Sequence, residues 1–300
     1  MKLLSIPGNF SFSIADICVS VIAKRCGRVL SFSADDALLK FRSSQRPFLT
    51  LDIELCRPEG LPVFSGKRLV FDNEVNWNFQ EFGAGKLLWQ EGAFKRSFQG
   101  RAALLDAKLR RGKVFCPVDS NEPRDLLFNP VSYPLDQLLY IYLLSQARGG
   151  LFHAAAVDYR GQGLLFLGKS GQGKTTMAEL WYRQKRAVVL NDDRVAVRYK
   201  KGVFWLYGTP WHGSGRFALP RKTRLHKVFF LHHSKDNDIR ALGPAEASTR
   251  LFTALFPPVW SKNSISLSLG LCCDIARKVP CYDLHFSPYK SVIPFIEELL

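Results

Sequence analysis

The chain has 300 residues, of which 47% are hydrophobic and 23% are charged. This composition excludes an intrinsically disordered or collagen-like chain, and the length is enough for a large core and two domains. The longest apolar runs, such as residues 138–144, are far shorter than the roughly 20 residues of a membrane-spanning helix. We therefore expect a soluble protein with no membrane association.

The formal net charge is +16, and residues 151–300 hold 22 basic and 11 acidic residues. Such an excess fits an anionic partner, whether nucleic acid, a phosphorylated small molecule or an acidic peptide. A solvated basic surface accounts for the charge equally well. The sequence has no zinc-ligand spacing and no RNA-binding aromatic motif, so we do not expect nucleic acid as the partner.

The first 30 residues contain no compact apolar segment, because Pro7, Gly8, Asn9 and Asp16 interrupt them. We expect no secretion signal. The seven cysteines include no pair with the C-x-x-C spacing of a metal or redox site. Reduced thiols in a cytoplasmic protein are the expected state.

Residues 1–130 predict a β-rich N-terminal domain. Short apolar or alternating segments at 48–55, 67–72, 85–90 and 113–117 are separated by glycine and proline, and one early helix is expected at 14–25. We find no catalytic constellation in this region.

The pattern changes at Pro134, which begins a helical stripe that ends at Gly149 and Gly150. From residue 151 the pattern alternates between strand and helix, with strands at 152–158, 163–167, 187–190, 194–199, 203–207 and 224–234 and helices at 174–183, 244–256 and 292–300. This alternation predicts an α/β domain over residues 131–300.

A phosphate-binding loop is the strongest motif in the chain. Gly168 is followed after four residues by Gly173, Lys174 and Thr175, with an apolar strand before the motif and a helix after it. Backbone N–H groups of such a loop and the following helix N-terminus bind phosphates, the lysine reaches the β and γ phosphates, and the threonine hydroxyl binds Mg²⁺. The residues expected to bind ATP here are Gly168, Lys169, Ser170, Gly171, Gln172, Gly173, Lys174, Thr175 and Thr176.

Two adjacent carboxylates, Asp192 and Asp193, follow the next apolar strand. Ligands of open α/β sheets bind beyond the carboxyl ends of the strands, so this pair is expected beside the phosphate loop. There, one carboxylate can hold Mg²⁺ while the other takes a proton from an attacking hydroxyl group. The alternative is a structural Asx turn at the end of a strand.

The segment from Leu151 to Arg198 resembles the catalytic domain of HPr kinase/phosphorylase. The resemblance rests on four features in chain order: His153, the Val157-Asp158 turn, the phosphate loop and the Asp192-Asp193 pair. The close match covers about 50 residues. The resemblance implies an ATP-dependent serine kinase with a P-loop fold related to phosphoenolpyruvate carboxykinase. The resemblance implies that Asp192 is the catalytic base, that Asp193 is a metal ligand beside Thr175, and that His153 is an active-site histidine. From the residues alone, the favoured interpretation of His153 is a core histidine at the end of a strand.

The chain departs from that family downstream, because no Asp or Glu occurs between Asp193 and Asp236. The family's further acidic metal ligand is therefore missing, which puts its second metal site and the phosphorolysis activity in doubt. The glycine-rich loop at 207–220 carries His212 and Arg216 in that place. Arg216 is a candidate to stabilise the transferred phosphoryl group, and His212 a candidate replacement ligand, although a purely structural loop fits nearly as well. His232 and His233 have no partners at ligand spacing, so we interpret them as strand-end residues.

We therefore expect a kinase that uses ATP and Mg²⁺ to phosphorylate a serine-type hydroxyl of a small protein, a peptide or a free molecule. The N-terminal domain would recognise the acceptor or mediate assembly, including into a homo-oligomer. Two alternatives stay open: an ATP-binding regulatory or pseudo-kinase module without phosphoryl transfer, and a nucleic-acid-dependent ATPase that only the net charge suggests.

Overall fold

The computed structural model describes residues 2–56, 69–72, 77–82, 85–90, 101–117, 126–289 and 291–300. The chain forms two compact units, Met1–Leu138 and Leu139–Leu300, and the described residues as a whole have mixed α/β structure. The division falls within helix α1 (Leu135–Gln146), later in the chain than the predicted boundary between residues 130 and 131. Separate roles for the two regions stay a prediction.

The first unit contains two sheets. Strands β1 (Leu3–Ile6), β4 (Val29–Ser33) and β11 (Leu126–Phe128) form a three-stranded sheet in the order β1-β4-β11. The other sheet has eight strands in the order β2-β3-β5-β10-β9-β8-β7-β6. Its strands are β2 (Asn9–Ile14), β3 (Ile17–Ile22), β5 (Leu49–Cys56), β6 (Leu69–Asp72), β7 (Trp77–Phe82), β8 (Gly85–Gln90), β9 (Ala102–Leu105) and β10 (Arg111–Pro117).

The early helix predicted at 14–25 is wrong, because this segment is the second half of a β-hairpin. Ala15 and Asp16 have φ angles of 53° and 57° and form the tight turn between β2 and β3. The following residues are rich in β-branched side chains, which favour strands, and five of the six residues of β3 are buried. The apolar run at Ile17–Ile22 is therefore a strand covered on both faces. The predicted strand segments at 48–55, 85–90 and 113–117 correspond to β5, β8 and β10; residues 67–68 lie outside the described part of the chain.

The second unit is built on an eight-stranded mixed sheet. Its path is β13-β12-β15-β16-β17-β19-β18, with β14 paired to β12 and β13 also paired to β17. The strands are β12 (Gly149–Tyr159), β13 (Gln162–Leu167), β14 (Ala187–Asn191), β15 (Arg194–Lys200), β16 (Val203–Tyr207), β17 (Lys222–His233), β18 (Asp238–Ala241) and β19 (Cys281–Phe286). The helices after α1 are α2 (Lys174–Tyr182), α3 (Pro244–Ala254), α4 (Lys262–Lys278) and α5 (Val292–Glu297).

The predicted strands and helices of this unit correspond to observed elements within a few residues at each end. Helix α4, the longest described helix, was missed. Its sequence alternates serine with apolar residues from Ser264 to Leu269, which is the period of a strand rather than of a helix. Ser264 and Ser268 are buried and lie four residues apart, so small polar side chains occupy part of the packed face.

Helices cover the two faces of this sheet with separate cores. On one face, Leu251 of α3 and Ile275 of α4 pack with Phe152, Leu165 and Phe230 of the strands. On the other face, apolar residues of α2 and α5, including Trp181 and Ile293, pack with Phe166 and Phe229. No helix among the described residues is long and apolar enough to cross a membrane.

The register of β12 determines which residues meet at one edge of the sheet. Ala154 pairs with Leu167, the last residue of β13, so the preceding residue His153 lies beside the start of the phosphate loop. On its other side, His153 pairs with Arg194, and Ala154 donates its backbone N–H to the carbonyl of Asp193 at 3.0 Å. Backbone pairing therefore brings three distant segments of the sequence together.

Gly208 offers a test of the packing beside this edge. A Cβ atom there would lie 2.0 Å from the carbonyl oxygen of Leu219 and 2.7 Å from that of Leu190, both of them backbone atoms that side-chain movement cannot relieve. We predict that Gly208→Ala lowers the free energy of unfolding by about 1–3 kcal/mol, measured by denaturant titration. A Cβ atom on Gly270 of α4 would meet no described atom within 4 Å, so Gly270→Ala should raise that free energy by about 0.5–1 kcal/mol. Equal effects of the two substitutions would contradict the packing described.

Candidate functional site

The phosphate loop connects β13 to α2 at the carboxyl end of a strand that is parallel to its neighbour β17. Gly171 and Gly173 have φ angles of 80° and 87°, in the left-handed region that glycine adopts without steric cost. Gly173 is the N-cap of α2, so Lys174 is the first helical residue and the helix N-terminus points to the loop. This is the strand, glycine loop and helix arrangement that binds phosphates.

The Lys174 side chain closes over the loop. Its ammonium group donates hydrogen bonds to the carbonyl oxygens of Gly168 at 2.8 Å and Lys169 at 3.1 Å. Burial lowers its pKa below the ordinary 10.5 and Arg194 lowers it further, while Asp193 opposes both effects. A largely buried cation whose hydrogen bonds go to neutral carbonyl oxygens can bind an anion, because the anion would supply the counter-charge that Asp193 provides only in part.

The far side of the loop is fixed by two residues from neighbouring strands. The Nε2 atom of His233 lies 2.8 Å from the carbonyl oxygen of Gly171. A Cβ atom on Gly173 would lie 2.6 Å from the ring of Phe286, so the loop packs directly against this ring. His233, interpreted from the sequence as a strand-end residue, therefore also contacts the phosphate loop.

Asn191 shapes the turn that carries the two carboxylates. Its fully buried side chain accepts hydrogen bonds from the backbone N–H groups of Asp193 at 2.8 Å and Arg194 at 2.7 Å. Its amide nitrogen donates to the carbonyl of Thr209 at 2.9 Å. The Asx turn at this strand end is thus formed by Asn191 and not by either carboxylate, and the functional role of Asp192 and Asp193 stays a prediction. Asn191 was not among the residues predicted from the sequence, although an asparagine directly before Asp-Asp is the available signal.

Asp193 lies at the centre of a charged cluster. Its Oδ1 atom is 3.1 Å from Nε2 of His153, and its Oδ2 atom is 2.7 Å from Nη1 of Arg194. Burial acts to raise its pKa, but the His153 hydrogen bond, Arg194 and Lys174 outweigh burial and hold the pKa below the ordinary 3.8. His153, Asp193 and the phosphate-loop lysine are therefore adjacent, and Arg194 is a further cation of the site that the sequence did not predict.

Asp192 has a different environment from its neighbour. Its side chain is 1% exposed, and its two oxygens accept hydrogen bonds from the backbone N–H groups of Gly213 at 3.0 Å and Gly215 at 2.8 Å. A Cβ atom on either glycine would lie 2.8 Å from Oδ2 of Asp192, so a side chain at either position would displace this carboxylate. The carboxylate predicted as the catalytic base is thus the anchor of the glycine-rich loop in this structure.

The anchored loop presents the two other predicted residues. Arg216 is exposed and has a φ angle of 57°, and its backbone N–H donates to the carbonyl of Gly213 at 3.1 Å. His212 Nδ1 lies 2.9 Å from the same carbonyl. The proposed roles of Arg216 with ATP and of His212 as a metal ligand stay predictions.

A cavity of about 570 Å³ opens directly beside the phosphate loop. Gly168, Lys169, Ser170 and Gln172 of the loop line one end together with His153. The remaining wall consists of Leu167, Phe230, Leu231, His232, Arg250, Thr253 and Ala254. Its size lies within the range of small-molecule sites, so the phosphate loop borders a space that can hold a ligand.

A divalent cation has few protein ligands at this site. Within the described ranges, no group of three or more His, Cys, Asp or Glu side chains is arranged so that it could hold a metal ion. The predicted pair, Thr175 in the first turn of α2 and Asp193, offers one hydroxyl and one partly exposed carboxylate. This donor set fits Mg²⁺, which proteins commonly hold through one or two side chains with phosphates and water completing the octahedron.

Comparison with known proteins identifies the family. Residues 114–300, more than half of the chain, match the family described as SynChlorMet cassette protein ScmC. The chain belongs to this family. No curated protein matches it. Among solved structures, the Hpr(Ser) kinase/phosphatase from Coxiella burnetii is similar at 12% identity and a TM-score of 0.29, over 50% of this chain and 92% of that one. This is a distant resemblance and decides neither the fold nor the activity.

Replacing Asp192 tests the anchor of the glycine-rich loop. In Asp192→Asn, one carboxylate oxygen becomes an NH₂ group that cannot accept from a backbone N–H, so a buried donor loses its partner. We expect the free energy of unfolding to fall by about 1–3 kcal/mol in denaturant titrations. Asp236→Asn, at an exposed turn position, is the matched control and should leave stability unchanged. An unchanged stability of Asp192→Asn would contradict the anchoring role.

The low pKa of Asp193 predicts a pH-dependent contribution to stability. Because the folded-state pKa lies below 3.8, the ionised carboxylate stabilises the fold above that pH, and the contribution is lost as the pH falls through the folded-state pKa. The difference in melting temperature between wild type and Asp193→Asn should be largest near neutral pH and shrink in acid. Thermal unfolding followed from about pH 7 to about pH 2 measures it; a difference that does not change with pH would contradict the pairing with His153 and Arg194.

Proposed function

We propose that the protein is an ATP-dependent kinase that transfers the γ-phosphoryl group to a hydroxyl-bearing acceptor, with serine in a peptide, a small protein or a free molecule as the acceptor class. The observation that supports this most directly is the phosphate loop: its glycines, the N-terminus of α2 and the Lys174 ammonium group converge beside a cavity.

The residues of the loop divide the binding of ATP among them. Backbone N–H groups of residues 168–174 and the helix N-terminus would bind the phosphates, and Lys174 would exchange its two carbonyl partners for phosphate oxygens. Thr175 and Asp193 would hold Mg²⁺, which supplies charge neutralisation on the phosphates when bound. His153 keeps Asp193 oriented, and Arg194 adds positive charge next to the phosphates.

The two carboxylates take different parts in this proposal. Asp193 is the partly exposed carboxylate near Lys174 and is suited to the cation. Asp192 is assigned a positioning role, since its oxygens hold the loop that carries Arg216. Asp192 would serve as the base implied by the family resemblance only if the glycine-rich loop moved away when the acceptor binds.

A second candidate function is an ATP-binding regulatory module that performs no phosphoryl transfer. The observation that favours it is the state of Asp192, the residue expected to act as the base. Asp192 is only 1% exposed, and its carboxylate already accepts hydrogen bonds from two backbone N–H groups. Both functions predict binding of ATP, and turnover of ATP separates them.

Calorimetric titration with Mg-ATP tests the phosphate loop without knowledge of the acceptor. Lys174→Ala removes charge-assisted hydrogen bonds to the phosphates, each worth about 1.5–3 kcal/mol, so we expect the dissociation constant to rise about 10- to 100-fold. Lys185→Ala, which changes an exposed lysine just beyond α2, is the matched control and should bind as the wild type does.

Two results would count against the proposal. If the wild type shows no binding of Mg-ATP, the loop does not bind nucleotide. If Lys174→Ala binds as tightly as the wild type, the ammonium group does not contact the phosphates, and the assignment of the loop fails.

A further inference from the structure

His232 lies at the carboxyl end of β17, on the same side of the sheet as the cavity beside the phosphate loop. Leu167, the residue before the loop, pairs with Phe230 of β17, so His232 is two residues further along the parallel neighbouring strand. Alternation along a strand puts Phe230 and His232 on one face, and both line the cavity with Gly168 and Lys169. His233 points to the opposite face and contacts Gly171.

A buried carboxylate orients the His232 ring. Its Nε2 atom is 2.8 Å from Oδ1 of Asp283, whose side chain is 6% exposed. A carboxylate can only accept a hydrogen bond, so this 2.8 Å contact favours a proton on Nε2 over the longer approach of Nη1 of Arg250 at 3.4 Å, and in the neutral ring Nδ1 then holds the lone pair. This is the arrangement in which a carboxylate fixes the tautomer of a histidine base.

The charges around this pair are balanced. Asp283 also accepts from Nη1 of Arg250 and from Nη2 of Arg240 at 2.7 Å, and Glu246 pairs with both arginines. The ring of His285 stacks on that of His232 with centroids 4.9 Å apart. The guanidinium groups of Arg240 and Arg250 hold the pKa of Asp283 below the ordinary 3.8 against the effect of burial, so this carboxylate stays ionised beside the His232 ring.

The two adjacent carboxylates of the site are engaged elsewhere. Asp192 is buried with both oxygens bonded to backbone N–H groups. Asp193 is bonded to His153 and Arg194 and is the carboxylate proposed for Mg²⁺. His232 is the cavity-lining histidine whose carboxylate partner is separate from both.

Resting on the proposed kinase function, we propose that His232, oriented by Asp283, is the catalytic base that accepts the proton of the acceptor hydroxyl. The acceptor would then bind in the cavity between the phosphate loop and α3, against Phe230. The acceptor O–H proton passes to Nδ1 of His232, and the acceptor oxygen bonds to the γ-phosphorus. The bond from that phosphorus to the β–γ bridging oxygen breaks, and ADP leaves with the electron pair. No further reactant is needed.

The test measures total ADP formation from Mg-ATP by the full chain, with free L-serine, a pool of serine-containing peptides and water as the acceptors. In His232→Gln the amide can still donate to Asp283 but cannot take up a proton. We expect kcat to fall by about 100-fold or more, with the KM for ATP and calorimetric binding of a non-hydrolysable Mg-ATP analogue within about 2-fold of wild type. His226→Gln, an exposed position on the same strand, is the matched control and should keep the wild-type rate.

The pH profile distinguishes a base from a structural residue. A histidine must be neutral to accept a proton, so the wild-type kcat should fall on acidification, and the residual rate of His232→Gln should lose this dependence. A variant with the wild-type rate and the wild-type pH profile overturns the role of His232 and leaves the proposed kinase function intact. If the wild type forms no ADP with any acceptor, the kinase function itself fails, and the role of His232 falls with it.

A measurement independent of turnover tests the orientation of the ring. Nitrogen-15 spectra of the histidine rings should show His232 as the tautomer protonated at Nε2, and Asp283→Asn should abolish that preference. If His232 is instead protonated at Nδ1 in the neutral ring, it has no lone pair on the nitrogen assigned to the acceptor, and the proposal is overturned.

Discussion

Hydrogen bonding along both edges of strand β12 is the constraint on which the site depends. One edge pairs with β13, whose last residue leads into the phosphate loop, and the other pairs with β15, which begins at Arg194. His153 lies between them and reaches Asp193. A shift of one residue would turn the His153 side chain to the opposite face of the sheet, because side chains alternate along a strand. The buried apolar residues that follow, Ala154 to Val157, disfavour that shift because both faces of the strand are packed.

The same edge shows how backbone geometry gives two adjacent carboxylates different surroundings. Asn191 fixes a turn in which Asp192 points into the glycine-rich loop and Asp193 points to His153, Arg194 and Lys174. A buried carboxylate is tolerated when hydrogen bonds replace its hydration, and the two backbone N–H groups of the loop supply them to Asp192. Asp193 instead gains its stabilisation from neighbouring cations. Identical side chains therefore suit different tasks, one holding a loop and the other facing the phosphates.

Two histidine–carboxylate pairs adjoin the cavity. His153, paired with Asp193, and His232, paired with Asp283, both line it. In each pair the carboxylate bonds to Nε2, which leaves Nδ1 as the acceptor in the neutral ring. The arginines around Asp283 favour its ionised form and make the second pair part of a hydrogen-bonded network rather than an isolated contact.

The sequence by itself determined the elements with strong local signals: the α/β alternation after residue 150, the phosphate loop with its strand and helix, and the carboxylate pair after β14. These elements were predictable because hydrophobic periodicity and glycine positions determine local structure over only a few residues of the chain. The sequence pattern misassigned β3, because an apolar run that is buried on both faces lacks the alternation of a half-buried strand. It missed α4, because serines in the packed face of that helix produce an alternating pattern instead of a helical one. Only the tertiary structure decided that Asp192 anchors Gly213 and Gly215, that Arg194 joins the site, and that His232 meets Asp283 across 51 residues of sequence. Those contacts follow from strand register and from the packing of α3 on the sheet, and residues this far apart in the chain meet only once the sheet has formed.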